Sequence, residues 1–192
     1  MIHNINTRAD WAEFVAEYRG RGGVPNERVV AIDPDTKECG YFDVDLVSRM
    51  GDIGTLRAEC FNPIPWDEGG ETTLAVVESQ RVFPGATQRT KSIVELARAA
   101  GVAAGSAVGD NGEIVFLDPC VWKGQIKKPT KIAQRFEYIT HQRNMAKLPA
   151  KLKEAYVVAL REAKSKGRDF QFEVMDAVGI LLFTLEGLGV EL

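Results

Sequence analysis

Residues 28–36, RVVAIDPDT, constrain the fold of this chain more than any other stretch. Val29, Val30, Ala31 and Ile32 make a short apolar run rich in β-branched residues, without the polar alternation of a half-exposed strand. Such a run reads as a strand buried on both faces, the kind found inside a partly parallel sheet. It stops at Asp33-Pro34-Asp35, a turn-forming sequence. A carboxylate is thereby delivered to the carboxyl end of a central strand, the edge at which open α/β sheets bind ligands. Asp33 is then either a metal ligand or general base, or simply the residue on which an Asp-Pro turn ends the strand.

A second run repeats the pattern. Leu74, Ala75, Val76 and Val77 are wholly apolar and end on Glu78. Two buried parallel strands ending on acids would bring Asp33 and Glu78 together at one sheet edge, where their repulsion is costly unless a cation sits between them. The last apolar segment, residues 172–185 (FEVMDAVGILLFTL), reads as a helix with Glu173 and Asp176 on one face of its first turn. The helix dipole accounts for Glu173 as a capping acid. It accounts less well for Asp176, set among Met175, Ala177, Val178 and Ile180, because a carboxylate in apolar company needs a partner. A metal shared with Asp33 and Glu78 would supply one.

Around these three anchors the remaining elements fall into order. Residues 1–27 read as an N-terminal helical extension, with a capping pair at Thr7 and Asp10, apolar residues Trp11, Phe14, Val15 and Tyr18 at helical spacing, and Gly20, Gly22, Gly23 and Pro25 closing it. Residues 28–192 form the main domain. Within it, residues 38–47 and 55–61 read as strands joined to the first by short turns, an antiparallel meander. Residues 62–70 and 79–86 read as loops. Residues 87–100 read as a helix stopped by Gly101, with Ile93, Leu96, Ala97 and Ala100 on one side. Residues 114–117 form a brief strand ending at Asp118-Pro119. Two further helices follow over residues 130–145 and 148–166.

Charge is distributed unevenly. Residues 121–168 hold thirteen Lys or Arg against three acids, a balance of +10 in a chain whose net charge is −3, so the remaining residues carry −13. A basic segment on an acidic body is the footprint of a contact with a polyanion, or else a pair of solvated helix faces. Trp122 lies beside Lys123, and Lys127, Lys128 and Lys131 follow closely. An aromatic among lysines can stack on a base while the ammonium groups hold phosphates, and it can equally anchor a loop to the core. Cys39, Cys60 and Cys120 are odd in number and unpaired in spacing, which argues against a disulfide framework or structural zinc site. The N-terminal sequence has no apolar core followed by a cleavage site, and the longest apolar run, residues 177–183, is too short to span a bilayer. The expectation is a cytoplasmic protein with no membrane contact.

Taken in order, these features resemble the RuvC-type Holliday junction resolvases of the ribonuclease H-like superfamily, particularly the shorter bacteriophage-type members. The matching pieces are AIDPDTKECGYFDV, LAVVES, VWKGQIKKPTK and EVMDAVGILL, and the resemblance covers roughly residues 28–187. It implies an α/β fold: a ribonuclease H-like mixed five-stranded sheet, its first three strands antiparallel, flanked by helices. It further implies that Asp33, Glu78, Glu173 and Asp176 are catalytic and hold two Mg²⁺ ions, with Mn²⁺ as a substitute, about 4 Å apart. Those ions would drive hydrolysis of a phosphodiester. Lys123, Lys127, Lys128, Lys131, Trp122 and Phe83 would contact DNA, with Phe83 standing in for the family's junction-wedging aromatic. The partners would be a four-way DNA junction and a second copy of the chain, since paired nicks need two active sites.

The chain also departs from that family. Asp35 replaces a common Gly, Glu173 stands where Asp or His is usual, with Asp169 as an alternative, and residues 62–70 are too short for the helix that follows the third strand in bacterial members. Residues 1–27 have no counterpart. Two other readings stay open: a non-catalytic ribonuclease H-like protein that binds branched nucleic acid, and a nuclease acting on RNA/DNA hybrids. Against the first, pure binding gains nothing from acids that repel phosphate.

Overall fold

The computed structural model describes residues 1–23, 28–35, 37–57, 73–79, 90–108, 112–124, 126, 137–166 and 170–192. Its strands are β1 (Ile2–Ile5), β2 (Arg28–Asp33), β3 (Glu38–Asp45), β4 (Met50–Arg57), β5 (Thr73–Glu78) and β6 (Glu113–Leu117). Its helices are α1 (Arg8–Gly20), α2 (Thr90–Ala107), α3 (Pro119–Trp122), α4 (Ile139–Lys147), α5 (Ala150–Lys166) and α6 (Phe170–Leu188). One sheet runs in the order β1-β6-β5-β2-β3-β4. β2, β3 and β4 form the expected antiparallel meander, and β5 and β6 add parallel on the far side of β2. With helices on both faces, this is a mixed α/β sheet consistent with the ribonuclease H-like arrangement expected.

β2 sits in the middle of that sheet. Val29 through Ile32 are at most 2% exposed, as the unbroken apolar run requires. Alternation along the strand then assigns each residue a face. Val29 and Ala31 of β2, Leu74 and Val76 of β5, Phe42 and Val44 of β3, and Val115 and Leu117 of β6 point to the side covered by α1, α4, α5 and α6. Val30, Ile32, Cys39, Ala75 and Val77 point to the other side, covered by Ala100, Ala103, Ala104 and Ala107 of α2. By the same period of two, Asp33 and Glu78 belong to the face that carries α6.

The sheet has six strands where five were expected. The sixth is β1, which pairs in parallel with β6 from Ile2↔Ile114 to Ile5↔Leu117, inside the segment read as a helical extension. The helix itself is present, with Thr7 and Asp10 closing a reciprocal capping box, and Trp11, Phe14 and Tyr18 are buried in the main core. Four residues in which only Ile5 is buried offer no period to detect. Contacts distant in sequence hold β1 instead: the Met1 ammonium donates to the Gly112 carbonyl at 3.0 Å, and His3 meets the Glu113 carboxylate at 2.7 Å. Arg21, at the end of α1, donates to the other oxygen of Glu113 at 2.9 Å.

This arrangement has a pH consequence. Burial raises the Glu113 carboxyl, but Arg21 and His3 outweigh it and hold the group below the ordinary glutamate value near 4.5. A carboxyl depressed in the folded state contributes stability above its unfolded value and loses it as pH falls through the folded one. Glu113→Gln should therefore lower the melting temperature near neutral pH. The gap to wild type should close as pH drops below about 4.5. A gap that stayed constant into acid would show that these ion pairs do not hold the edge strand.

α2 corrects a boundary. It continues past Gly101 to Ala107, and Gly101 faces open space with nothing within 4 Å of where a Cβ would be. A mid-helix glycine costs about 1 kcal/mol relative to alanine. Burial of Ala103, Ala104 and Ala107 against the sheet offsets that cost, so the glycine is a passenger and not a stop. Of the two helices expected over residues 130–145 and 148–166, the described parts are α4 and α5. The loop expected over residues 62–70, and all but Ser79 of the one expected over residues 79–86, lie outside the described residues. Among the described residues, no helix is long and apolar enough to cross a membrane.

Candidate active site

β2 and β5 run side by side in register, Ile32↔Val77, and each delivers the acid that follows to the same edge. Asp33 is 2% exposed and Glu78 6%. The third acid arrives from α6, whose Asp176 is completely buried. α6 reaches the strands because β3 has no side chain where the helix crosses: a Cβ on Gly40 would lie 2.1 Å from the Glu173 carbonyl oxygen. Gly40 is also the residue paired with Asp33 across the β2–β3 ladder. The opening turn of α6 is thus seated directly beside the first acid.

A cation lies among these groups. The Lys123 ammonium stands 3.0 Å from Oε2 of Glu78 and 3.0 Å from Oδ2 of Asp176. The lysine follows α3, a four-residue helix that Asp118 caps by accepting from the Cys120 amide at 2.8 Å. β6 therefore also ends near an acid, but that carboxylate caps its own helix. Burial opposes the charge on Lys123. The carboxylates of Asp176, Glu78 and Asp33 outweigh burial and raise its pKa, so the lysine is firmly an ammonium.

Two neutral donors complete the arrangement. The indole Nε1 of Trp122 donates to the Oε2 of Glu78 at 3.0 Å. The Tyr138 hydroxyl donates to Oδ1 of Asp176 at 2.7 Å, and burial, then the charge of Asp176, pushes that phenol's pKa up, which keeps it a donor. Behind Asp176, the Asn144 amide of α4 donates to the Met175 carbonyl at 2.8 Å, and His141 contacts the Tyr156 hydroxyl at 2.9 Å. His141 is therefore half-buried in a brace between α4 and α5, and burial lowers its pKa.

Of the residues singled out by sequence, Asp33, Glu78, Asp176, Lys123 and Trp122 come together. Trp122 is buried, its ring packed where Gly179 of α6 leaves room, so it faces the core and an acid and offers no open ring for a base. Glu173 lies in the first turn of α6, and its charge, with those of Asp33 and Asp35, adds to burial in pushing the Cys39 thiol up to about 12. Asp35 accepts from the Lys37 amide at 2.9 Å, which closes the turn after β2. Phe83, Lys127, Lys128, Lys131 and Asp169 lie outside the described residues, as does Cys60. Sequence reasoning passed over Tyr138. A single tyrosine in a polar stretch carries no pattern, and only its position opposite Asp176 reveals what it does.

The donor set is three carboxylates, hard oxygen ligands of the kind Mg²⁺ and Mn²⁺ prefer. They already balance one positive charge with three negative ones. The oxygens are nonetheless spread for an ammonium: among the described residues, no three His, Cys, Asp or Glu side chains converge as a ready-made cage. Asp33, Glu78 and Asp176 fit a divalent ion by chemistry and by location, and would close on it only by drawing together.

No protein-family model matches the chain, and no curated protein matches it. Among solved structures, the chain is similar to the yeast mitochondrial Holliday junction resolvase Ydc2, with 12% identity over 92% of this chain and 86% of that chain and a TM-score of 0.40.

Proposed function

We propose that this protein is a divalent-metal-dependent endonuclease that resolves four-way DNA junctions by paired nicks. The observation that carries the reading is the meeting of Glu78 and Asp176 on the Lys123 ammonium at the carboxyl edge of the sheet, with Asp33 buried at the same edge and its charge felt by that lysine. Buried carboxylates are retained against their desolvation cost only where a cation or a dense set of donors compensates them. Asp33, Glu78 and Asp176 would hold the metal, with Glu173 at the opening of α6 as the fourth acid. Bound divalent ions supply activation of the attacking water and stabilisation of the leaving 3′-oxygen.

The protein's own groups do the positioning. Tyr138 fixes Oδ1 of Asp176 while Oδ2 faces Lys123, and Trp122 donates to Oε2 of Glu78, the same oxygen that faces the ammonium. The basic residues of α4 and α5, with Lys127, Lys128 and Lys131, would hold the phosphate backbone. Symmetric nicks require a homodimer. The outward face of α2, where Val94, Ala97, Gly101, Val102 and Gly105 are exposed around Arg98, is the surface on which two copies would meet.

A second reading has an observation in its favour. Because Lys123 already neutralises part of the acid cluster, the site could serve a non-catalytic protein that binds branched nucleic acid. Incubating a synthetic four-way junction, a linear duplex and an RNA/DNA hybrid with the protein and Mg²⁺ separates these possibilities. Symmetric paired nicks in the junction alone are the expected result. Binding of the junction without cleavage would establish the second reading, and cleavage of the hybrid alone would redirect the activity to RNA.

A further inference from the structure

We infer that Lys123 is an exchangeable counter-cation: its ammonium holds the acids together in the metal-free protein and leaves the site when a divalent ion enters. The inference rests on the proposed metal-dependent activity and adds how the site is regulated. The Lys123 Nζ lies 3.0 Å from one oxygen of Glu78 and 3.0 Å from one of Asp176. Two oxygens at that distance from a shared nitrogen are placed around an ammonium, whereas Mg²⁺ draws its ligands in to about 2.1 Å. A metal taking the same two oxygens would sit where the ammonium now sits or in contact with it, and two like charges cannot share that space without other compensation.

The surroundings allow the lysine to move without the fold moving. Its backbone is fixed, because the Lys123 amide donates to the Pro119 carbonyl at 3.0 Å and Gly124 takes φ +66° just beyond it. The four-carbon stem is flexible, and 11% of the side chain is already exposed, so a route to solvent exists on one side. Two described partners of the acids that would stay behind are neutral. Trp122 keeps its bond to Glu78 and Tyr138 its bond to Asp176, so both carboxylates remain oriented once the ammonium has gone. Lys123 is thus a positioning residue of the metal-free state, and its displacement makes metal entry a competition and not a simple addition.

Amine acetylation of the wild-type protein, read by peptide mass spectrometry, tests this directly. In a chelator, Lys123 should react slowly. In saturating Mn²⁺ its labelling should rise at least about tenfold, while the half-exposed Lys147 serves as an unchanging reference. Mn²⁺ binding is followed in the same samples from loss of the free-ion electron paramagnetic resonance signal. If Mn²⁺ binds and Lys123 stays protected, the exchange is wrong and the metal site stands. If Mn²⁺ does not bind at all, the metal-dependent reading fails and the exchange fails with it. As a second readout, Lys123→Met should bind Mn²⁺ about tenfold more tightly or better, because no competitor has to leave. Equal or weaker binding by a folded variant would also overturn the proposal.

Discussion

Asp33→Asn is expected to lower Mg²⁺-dependent junction cleavage by about 10³-fold or more, equivalent to ~4 kcal/mol of transition-state stabilisation, while leaving the fold intact. The substitution keeps size and shape at a site that is 2% exposed, so no cavity forms and no neighbour is displaced. It removes one negative charge from a cluster in which three carboxylates face a single ammonium. The metal-free protein should therefore melt no lower than wild type, and loss of activity can be assigned to chemistry. Asp35→Asn is the internal control. Its carboxylate accepts from the Lys37 amide within the turn, a bond that asparagine's carbonyl oxygen can also accept, and cleavage should change less than about threefold. Measuring single-turnover rates on a labelled junction distinguishes the two variants. A fully active Asp33→Asn would remove the acid cluster from the mechanism.

The contrast between these neighbouring acids shows which parts of the site could be read in the sequence. Asp33 and Glu78 were legible because strand physics is local. A buried run has period two and a fixed end, so its last residue has both a face and an edge before any tertiary contact is known. Asp176 was legible for a related reason, an acid inside an apolar helix that has no solvent to turn to. The elements left unread depend on contacts distant in sequence. β1 forms on Gly112 and Glu113, more than a hundred residues away, and its own four residues say nothing of it. α2 outruns Gly101 because of what Ala103 and Ala107 bury, and that is set by the opposing strands. Lys123 was legible as a basic residue near the site. That it stands between the acids was not, because its reach depends on where α3 ends.

Gly40→Ala should be the most damaging single-methyl change in the described part of the protein, costing about 3 kcal/mol or more. The added Cβ would lie 2.1 Å from the Glu173 carbonyl oxygen, 2.2 Å from its carbonyl carbon and 2.6 Å from the Val174 amide nitrogen. All three are backbone atoms of α6, so no side chain can rotate away; the helix must lift or the strand must bow. α6 also carries much of the core, including Val174, Met175, Val178, Ile180 and Leu181, all fully buried, so a shift there is felt across the whole face. Gly101→Ala is the matching control, the same methyl in a helix with nothing within 4 Å, and it should stabilise by up to about 1 kcal/mol. Urea unfolding of both variants reads the difference, with an unchanged slope showing that stability alone has moved. Gly40→Ala should also lose cleavage beyond what its unfolded fraction explains, because Gly40 is paired with Asp33 and touches the turn that bears Glu173 and leads into Asp176. Wild-type stability in Gly40→Ala would mean that α6 is not seated on β3 at this point, and the meeting of the acids would lose its structural basis.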